Sequence, residues 1–478
     1  MRRLHLRRQV RRAGLACLIS APGLLGAQRP DTLPLSLPEA VERALKQSDE
    51  ARIANALVDL ADAQVVTARG AGLPQLQLNS SYSQQIRNAR AEIVGQVFAQ
   101  AYTYIANINA QQTVFQGGRV LAASQVAARA ERAARQNRAE TRATLAVDAQ
   151  RVYLATAFTT RLAEIQRRNL EIADERLAQV ERLAAAGRAS RYDVLRAKVE
   201  RANLEPVALQ AENERTLAEL ELKRLLQIPT DQPVRLLTAL DPARVDSLAT
   251  VAVADQGPDG VRPGVRAAEL TASARDAAVR VARADLLPSL SAGFNYGYLA
   301  LPALNGLPTL RGAASVAFCP NPATATRACQ NNGWFPNQTF NVQFSMPLFD
   351  GLRAKGAIDL AQAQAEIADL QVRQSREAAS VDVARARAEL NRARSTFAAR
   401  AGTVREAEEA FSLASLRFDR GIGTQLELSD AQLALLTARS TEARATFDLY
   451  LAVAELARVR AKPIPLPDGG TVPDQTLR

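Results

Sequence analysis

Few side chains in this 478-residue sequence stand where they can do chemistry. The only histidine is His5, and no serine, threonine or cysteine forms a nucleophile–base arrangement. No glycine-rich phosphate loop is present either. Two groupings remain. Cys319 and Cys329 lie ten positions apart in a Pro/Asn/Gly-rich stretch. In an exported chain such a pair is read most simply as a disulfide, which stabilises a loop of that size by roughly 2–3 kcal/mol. A metal site is not expected, because no histidine or third cysteine accompanies them. The second grouping is Glu427 and Asp430, two carboxylates three residues apart on one helical face. Acids there also suit the N-terminal end of a helix. The other carboxylates are scattered among arginines, as on solvated helix faces, so neither an enzyme nor a cofactor is expected.

The N-terminus alters the charge balance. Six arginines occur by position 12, followed by an apolar stretch from Ala13 to Ala27 that ends in LLGA. This is the layout of a secretory signal peptide, with cleavage expected after Ala27, and the stretch is too short to span a membrane. Cys17 has only four residues between it and the arginines, too little apolar run for a lipid-anchor site. Losing the six arginines lowers the formal charge from +11 to +5. The remaining positive charge is interleaved with acids, and no nucleic-acid partner is expected. No later run of eighteen apolar residues offers a transmembrane helix.

The elements that must position the acids come in duplicate. Phe115-x-Gly117 precedes Phe349-x-Gly351 by 234 positions, and Gly187 precedes Gly421 by the same spacing. RGAGLPQLQLNSSYS (69–83) matches RADLLPSLSAGFNYG (283–297) at a spacing of 214, so twenty extra residues fall between Pro288 and Phe349. Each half reads helix, strand, loop, strand, long helix, turn, helix. A period of about 3.5 residues marks coiled-coil packing. It runs through Leu170, Ala173, Leu177, Val180 and Ala184, through Leu390, Phe397, Val404, Phe411 and Phe418, and through Ser429, Leu433, Leu436, Ser440, Ala443, Phe447, Tyr450, Ala454 and Ala457. Both long segments read as unbroken helix. The first, from about Leu121 to Ala186, would be ~100 Å long. Pro206 is expected to kink or split the helix after the first turn.

Four segments alternate apolar and polar residues. Leu76, Leu78 and Tyr82 oppose Gln75, Gln77, Asn79 and Ser81; Tyr102, Tyr104, Ala106 and Ile108 oppose Thr103, Asn107 and Asn109, with Ile105 off pattern. In the second half Leu290, Ala292, Phe294, Tyr296 and Tyr298 oppose Ser291, Gly293 and Asn295. Phe340, Val342, Phe344 and Met346 oppose Asn341, Gln343 and Ser345. Each run of about ten residues is the length of a tilted membrane strand, with aromatics on the apolar face and neutral polar groups opposite. Backbone in lipid must be fully paired, so four strands per chain require several chains to close a barrel.

Over nearly all of its length after residue 27, the sequence resembles the TolC-type outer-membrane efflux protein family. The resemblance rests on the duplication, on LPxL at 73–76 and 287–290, on SMPLFDGLRAKGAIDLAQAQ (345–364) and on GTQLELSDAQLALLTAR (423–439). It implies an α+β membrane protein: a homotrimer whose twelve-stranded β-barrel, four strands per chain, continues into an α-helical coiled-coil tunnel across the periplasm. Pro347 and Gly351 would bend strand into helix. The organisation expected is a signal peptide (1–27), a first repeat (28–228; hairpin about 74–115, turn 187–190), a connector outside the helical barrel (229–262), a second repeat (263–462; hairpin about 288–349, turn 421–424) and a disordered tail (463–478).

The resemblance also assigns roles at the helix-to-helix turns. Glu427 and Asp430 correspond to carboxylates facing the pore at its periplasmic entrance, where threefold symmetry brings six together. At ~6 Å and an effective dielectric of ~20, each pair repels by roughly 3 kcal/mol, favouring cations and raising carboxylate pKa values. The first half has Asp193 and Arg196 at the matching places. In the family's best-known member an arginine locks the closed entrance through an aspartate equivalent to Asp193; here that position is Gly423, and Arg188, Arg191 or Arg420 are the candidates to replace it. The tips Gly187-Arg188-Ala189-Ser190 and Gly421-Ile422-Gly423-Thr424 are expected to dock a periplasmic adaptor that joins the duct to an inner-membrane transporter of the RND or ABC type, with outer-membrane lipid around the barrel. The expected function is passive conduction of drugs or small molecules. Type I protein secretion is the alternative on the same architecture, and an exported coiled-coil scaffold or adhesin without a pore is the alternative of a different class.

Overall fold

The computed structural model describes residues 32–84, 86–87, 102–300, 334–400, 402–467 and 470–472. The signal segment, Cys319 and Cys329 lie outside the described residues. In chain order the elements are β1 (Leu33–Leu35), α1 (Leu37–Gln47), α2 (Asp49–Gly70), β2 (Gln75–Gln84), β3 (Tyr102–Gln116), α3 (Arg119–Ala185), α4 (Arg191–Leu225), β4 (Val234–Leu236), α5 (Pro242–Ala254) and α6 (Pro263–Arg283). After a short 3-10 turn at Ala284–Leu286 follow β5 (Ser289–Ala300), β6 (Trp334–Ser345), α7 (Arg353–Arg400), α8 (Thr403–Asp419) and α9 (Gln425–Val459).

The two hairpins form one antiparallel sheet in the order β2-β3-β5-β6. Its register aligns the alternation across all four strands. Leu76, Ala110, Phe294 and Phe340 form one row and Leu78, Ile108, Tyr296 and Gln338 the next; Gln77, Asn109, Asn295 and Thr339 form a row on the opposite face. Nothing among the described residues covers the apolar face: Leu78 is 78 % exposed and Phe340 69 %. Ile105, the off-pattern residue, pairs with Ser81 and Leu299 near the far end of the sheet. Glycines on the polar face make room for asparagines. A Cβ on Gly297 would lie 2.4 Å from Asn107 Cβ, and one on Gly293 would lie 2.5 Å from Asn341 Oδ1. Among the described residues β2 and β6 each have one edge unpaired, and an unpaired edge in lipid must find a partner.

The passage from strand to helix turns on glycine. Gly117 has φ +57, and a Cβ there would meet the Ala284 carbonyl and Leu287 Cβ, each at 2.7 Å. Gly351 repeats the left-handed conformation at φ +71. Asp350 Oδ2 then accepts from Ala354 N at 2.7 Å at the start of α7. α3 is a single helix of 67 residues, ~100 Å at 1.5 Å per residue. Its counterpart differs from the expectation of one long helix: α7 ends at Arg400 and α8 starts after Gly402, whose φ of +89 no helix accommodates. Pro206 has the opposite outcome. α4 runs unbroken through it, because Ala202, whose carbonyl loses its partner, lies on an exposed face where water can satisfy it.

The main core gathers the middle of α3, the later turns of α4, α7 and α9, and α1. Tyr153 is fully buried; its hydroxyl donates to the Leu35 carbonyl (2.8 Å) and accepts from Thr238 N (3.0 Å), tying α3 to β1 and to the segment just after β4, its parallel partner. The connector adds β4 to this core through Val234 and Leu236, and α5 through Val245 and Ala249. The tail corrects the sequence expectation of disorder over part of its length. Ile464, Leu466 and Val472 are buried in the same core, and Pro465 bridges Thr471. Three apolar residues at steps of two and six outweigh the prolines and glycines that suggested disorder.

Candidate functional site

The helical hairpins α3–α4 and α8–α9 turn on left-handed glycines, Gly187 at φ +72 and Gly421 at φ +76. At the first tip Gly187 N donates to Ala184 O (2.9 Å) and Arg188 N to Leu183 O (2.7 Å); at the second Gly421 N donates to Phe418 O (2.9 Å) and Ile422 N to Arg417 O (3.0 Å). These bonds satisfy the last carbonyls of each descending helix. Arg188, Ser190, Ile422 and Thr424 are exposed, and Ala189 and Gly423 are half-buried. Gln179, eight residues before Gly187, donates to Asp419 Oδ1 at 3.0 Å, two residues before Gly421. The first hairpin therefore reaches further than the second, by about three to six residues on this contact and on that of Arg176 with Ser429, or ~5–9 Å of helix.

Ser190 and Thr424 start the ascending helices, but the acids behind them behave differently. Asp193 Oδ2 accepts from Ser190 N (2.9 Å) and Ser190 Oγ (2.7 Å), while Asp193 N donates back to Ser190 Oγ, a complete capping box. The Ser190 hydroxyl, and then its backbone N–H, hold the Asp193 carboxyl below the usual aspartate range. Thr424 Oγ1 accepts from Glu427 N at 3.2 Å and makes no further demand on the Glu427 side chain. That carboxylate is exposed and stands 3.7 Å from Arg417 Nε, a loose surface pair. Asp430 is exposed and makes no ion pair among the described residues. Thus α4 carries Asp193 in a cap, whereas α9 presents Glu427 and Asp430 with their carboxylates largely uncommitted. Gly423 is sterically restricted: a Cβ would sit 3.0 Å from both Arg417 Cβ and Phe418 N.

Above the tips the hairpins join through polar groups that the sequence pattern did not identify. Arg176 on α3 is 5 % exposed. Its Nη1 donates to Glu200 Oε1 on α4 (3.0 Å) and to Ser429 Oγ on α9 (2.9 Å), and Ser429 Oγ donates to Glu200 Oε2 (3.1 Å). Burial pushes the Arg176 pKa down, opposed by the charge of Glu200. Seven residues earlier, Asn169 accepts from buried Gln432. Near the tip the buried seats on α9 are Gln425, Leu428, Gln432 and Leu435, whereas Leu433, expected in the seam, is exposed. Leu170 and Leu177 are likewise only half-buried, with Asn169, Ala173 and Arg176 beneath. The expected heptad is thus only partly the intrachain seam: Ala173 and Val180 are buried in it, as are Phe447, Tyr450 and Ala454 farther along α9, whereas Leu170, Leu177 and Leu433 are not. The spacing of Asn169 and Arg176, and of Gln425 and Gln432, was the available signal.

Residues 40–226 and 260–461, most of both repeats, match the outer membrane efflux protein family. A relative from Pseudomonas putida described as the pyoverdine export outer membrane protein OpmQ is 28 % identical over 428 residues, covering 85 % of this chain and 82 % of its own. Among solved structures, a membrane protein from Pseudomonas aeruginosa superimposes with a TM-score of 0.70 at 20 % identity, covering 89 % of this chain and 92 % of that one. The outer membrane protein VceC from Vibrio cholerae gives 0.67 at 20 % identity, with 89 % and 96 % covered. The fold is that of the trimeric barrel-and-tunnel channels. With both repeats matched and the barrel strands, long helices and paired tips in place, the chain belongs to the outer membrane efflux protein family.

Proposed function

We propose that this protein is the outer-membrane conduit of a tripartite efflux system, passing small molecules from an inner-membrane transporter and periplasmic adaptor to the exterior. The observation that carries the proposal is the continuity of the wall. A neutral polar sheet face runs through the glycine passages at 117 and 351 into helices of up to 67 residues. No step of the reading requires catalysis. The relative named for pyoverdine export favours a small-molecule cargo over protein secretion. Residues 1–27 direct export and are removed in this reading, and the tips at 187–190 and 421–424 dock the adaptor.

At the entrance, Glu427 and Asp430 form the charged ring. Asp193 was grouped with them on sequence, but its engagement with Ser190 assigns it mainly to the helix cap. E427Q/D430N channels in planar bilayers should lose most of their preference for cations over anions; unchanged selectivity would remove both residues from the constriction. Cysteines placed at Arg188 or Ile422 should crosslink an adaptor in an active system, and consistent failure there would count against docking at the tips.

A further inference from the structure

α3 and α7 begin with Arg119 and Arg353, and neither has an acid in its first turn. The positive end of a helix disfavours cations, so local preference does not explain these arginines. They occupy equivalent positions in the two repeats, as do Arg69 and Arg283 in the last turns of α2 and α6. Each repeat thus brackets its strands with two arginines at the edge where strand becomes helix. Arg69, Arg283 and Arg353 are exposed and make no ion pair among the described residues; Arg119 pairs with Asp285.

In the first repeat these cations border a groove of about 630 Å³ lined by Arg69, Arg119, Leu73, Val114, Phe115 and Leu121. The bulge between Thr113 and Phe115 brings Phe115 into register with Leu290, which pairs with Phe344, so Phe115 lies on the apolar, outward face of the sheet. Leu121 is 66 % exposed with no apolar cover. Val114 and Phe115 come from β3, an inner strand, while Arg69 and Leu73 lead into β2, so the groove lies beside the β2 side of the sheet. It has cations at its helical end and apolar side chains at its strand end, at the level where the barrel leaves the membrane.

We propose that this groove binds an anionic phospholipid of the periplasmic leaflet, its phosphate between Arg69 and Arg119 and an acyl chain along Val114 and Phe115. Arg119 keeps Asp285 as one partner and offers its remaining donors. The inference rests on the barrel fold and is independent of cargo. Its test is native mass spectrometry of the detergent-purified trimer with added phosphatidylglycerol or phosphatidylcholine. Phosphatidylglycerol should be retained in preference, and R69Q should weaken that retention ~5-fold, about one surface arginine's attraction to an anionic headgroup. R69Q/R119Q should abolish the preference. Equal retention of the two lipids, or undiminished phosphatidylglycerol retention in R69Q, would overturn the proposal. Arg69 has no ion-pair partner to lose among the described residues, so R69Q decides the matter even if R119Q disturbs assembly, and R69K should restore binding.

Discussion

Asp193 and Asp430 are aspartates in the first two turns of equivalent helices, yet the Ser190 hydroxyl and N–H occupy one while the other stands free. The Asp193 pKa is depressed in the fold, so its contribution is present above the pKa of an unfolded aspartate, ~3.9, and is lost as pH falls through the lower folded value. In thermal melts, wild type should therefore exceed D193N in stability at pH 6, and the difference should shrink below pH ~4; a constant difference would contradict the capping assignment. Ser190→Ala should cost about 1 kcal/mol through the same cap. Gly423→Arg should destabilise the second tip, because its Cβ would crowd Phe418 N and Arg417 Cβ; hydrogen exchange at 417–427 should rise. The glycines and hydroxyl caps of both tips were legible from residue type. The S-x-x-D pattern at 190–193 is legible too, whereas the buried Arg176, whose only sequence signal is its seven-residue spacing from Asn169, depends on three helices meeting.

The helices differ in how securely they are held. α3 is continuous, while α8 is set apart from α7 by Gly402 and has no buried residue of its own. Where the two hairpins meet near the tips, Arg176, Glu200 and Ser429 replace apolar packing. Arg176→Met should destabilise this seam by about 2 kcal/mol, less than for a fully buried pair because Glu200 is partly hydrated. Hydrogen exchange at 169–180 and 425–435 should report the loss, and E200M added to it should recover part. Gly402→Ala meets no steric obstacle and should cost about 1 kcal/mol through its left-handed backbone alone. Periodicity located the strands and most helix ends because alternation and the 3.6 repeat are short-range signals. It missed the break at Gly402, where the heptad continues through Phe397, Val404 and Phe411 although the backbone does not. It also expected too much of Pro206, whose cost depends on solvent access to one carbonyl.

At the scale of the molecule, the described residues of one chain form a four-stranded sheet with an uncovered apolar face and two open edges. The sheet register, with polar rows on one side and apolar rows on the other, has meaning only when the edges close around water. That requirement was readable from strand count and composition, whereas the number of chains came from the family resemblance. The most direct test is the mass of the detergent-purified particle, determined together with its conductance in a planar bilayer. Three chains in each conducting particle are predicted. A stable monomer that needs no detergent and does not conduct would contradict the account.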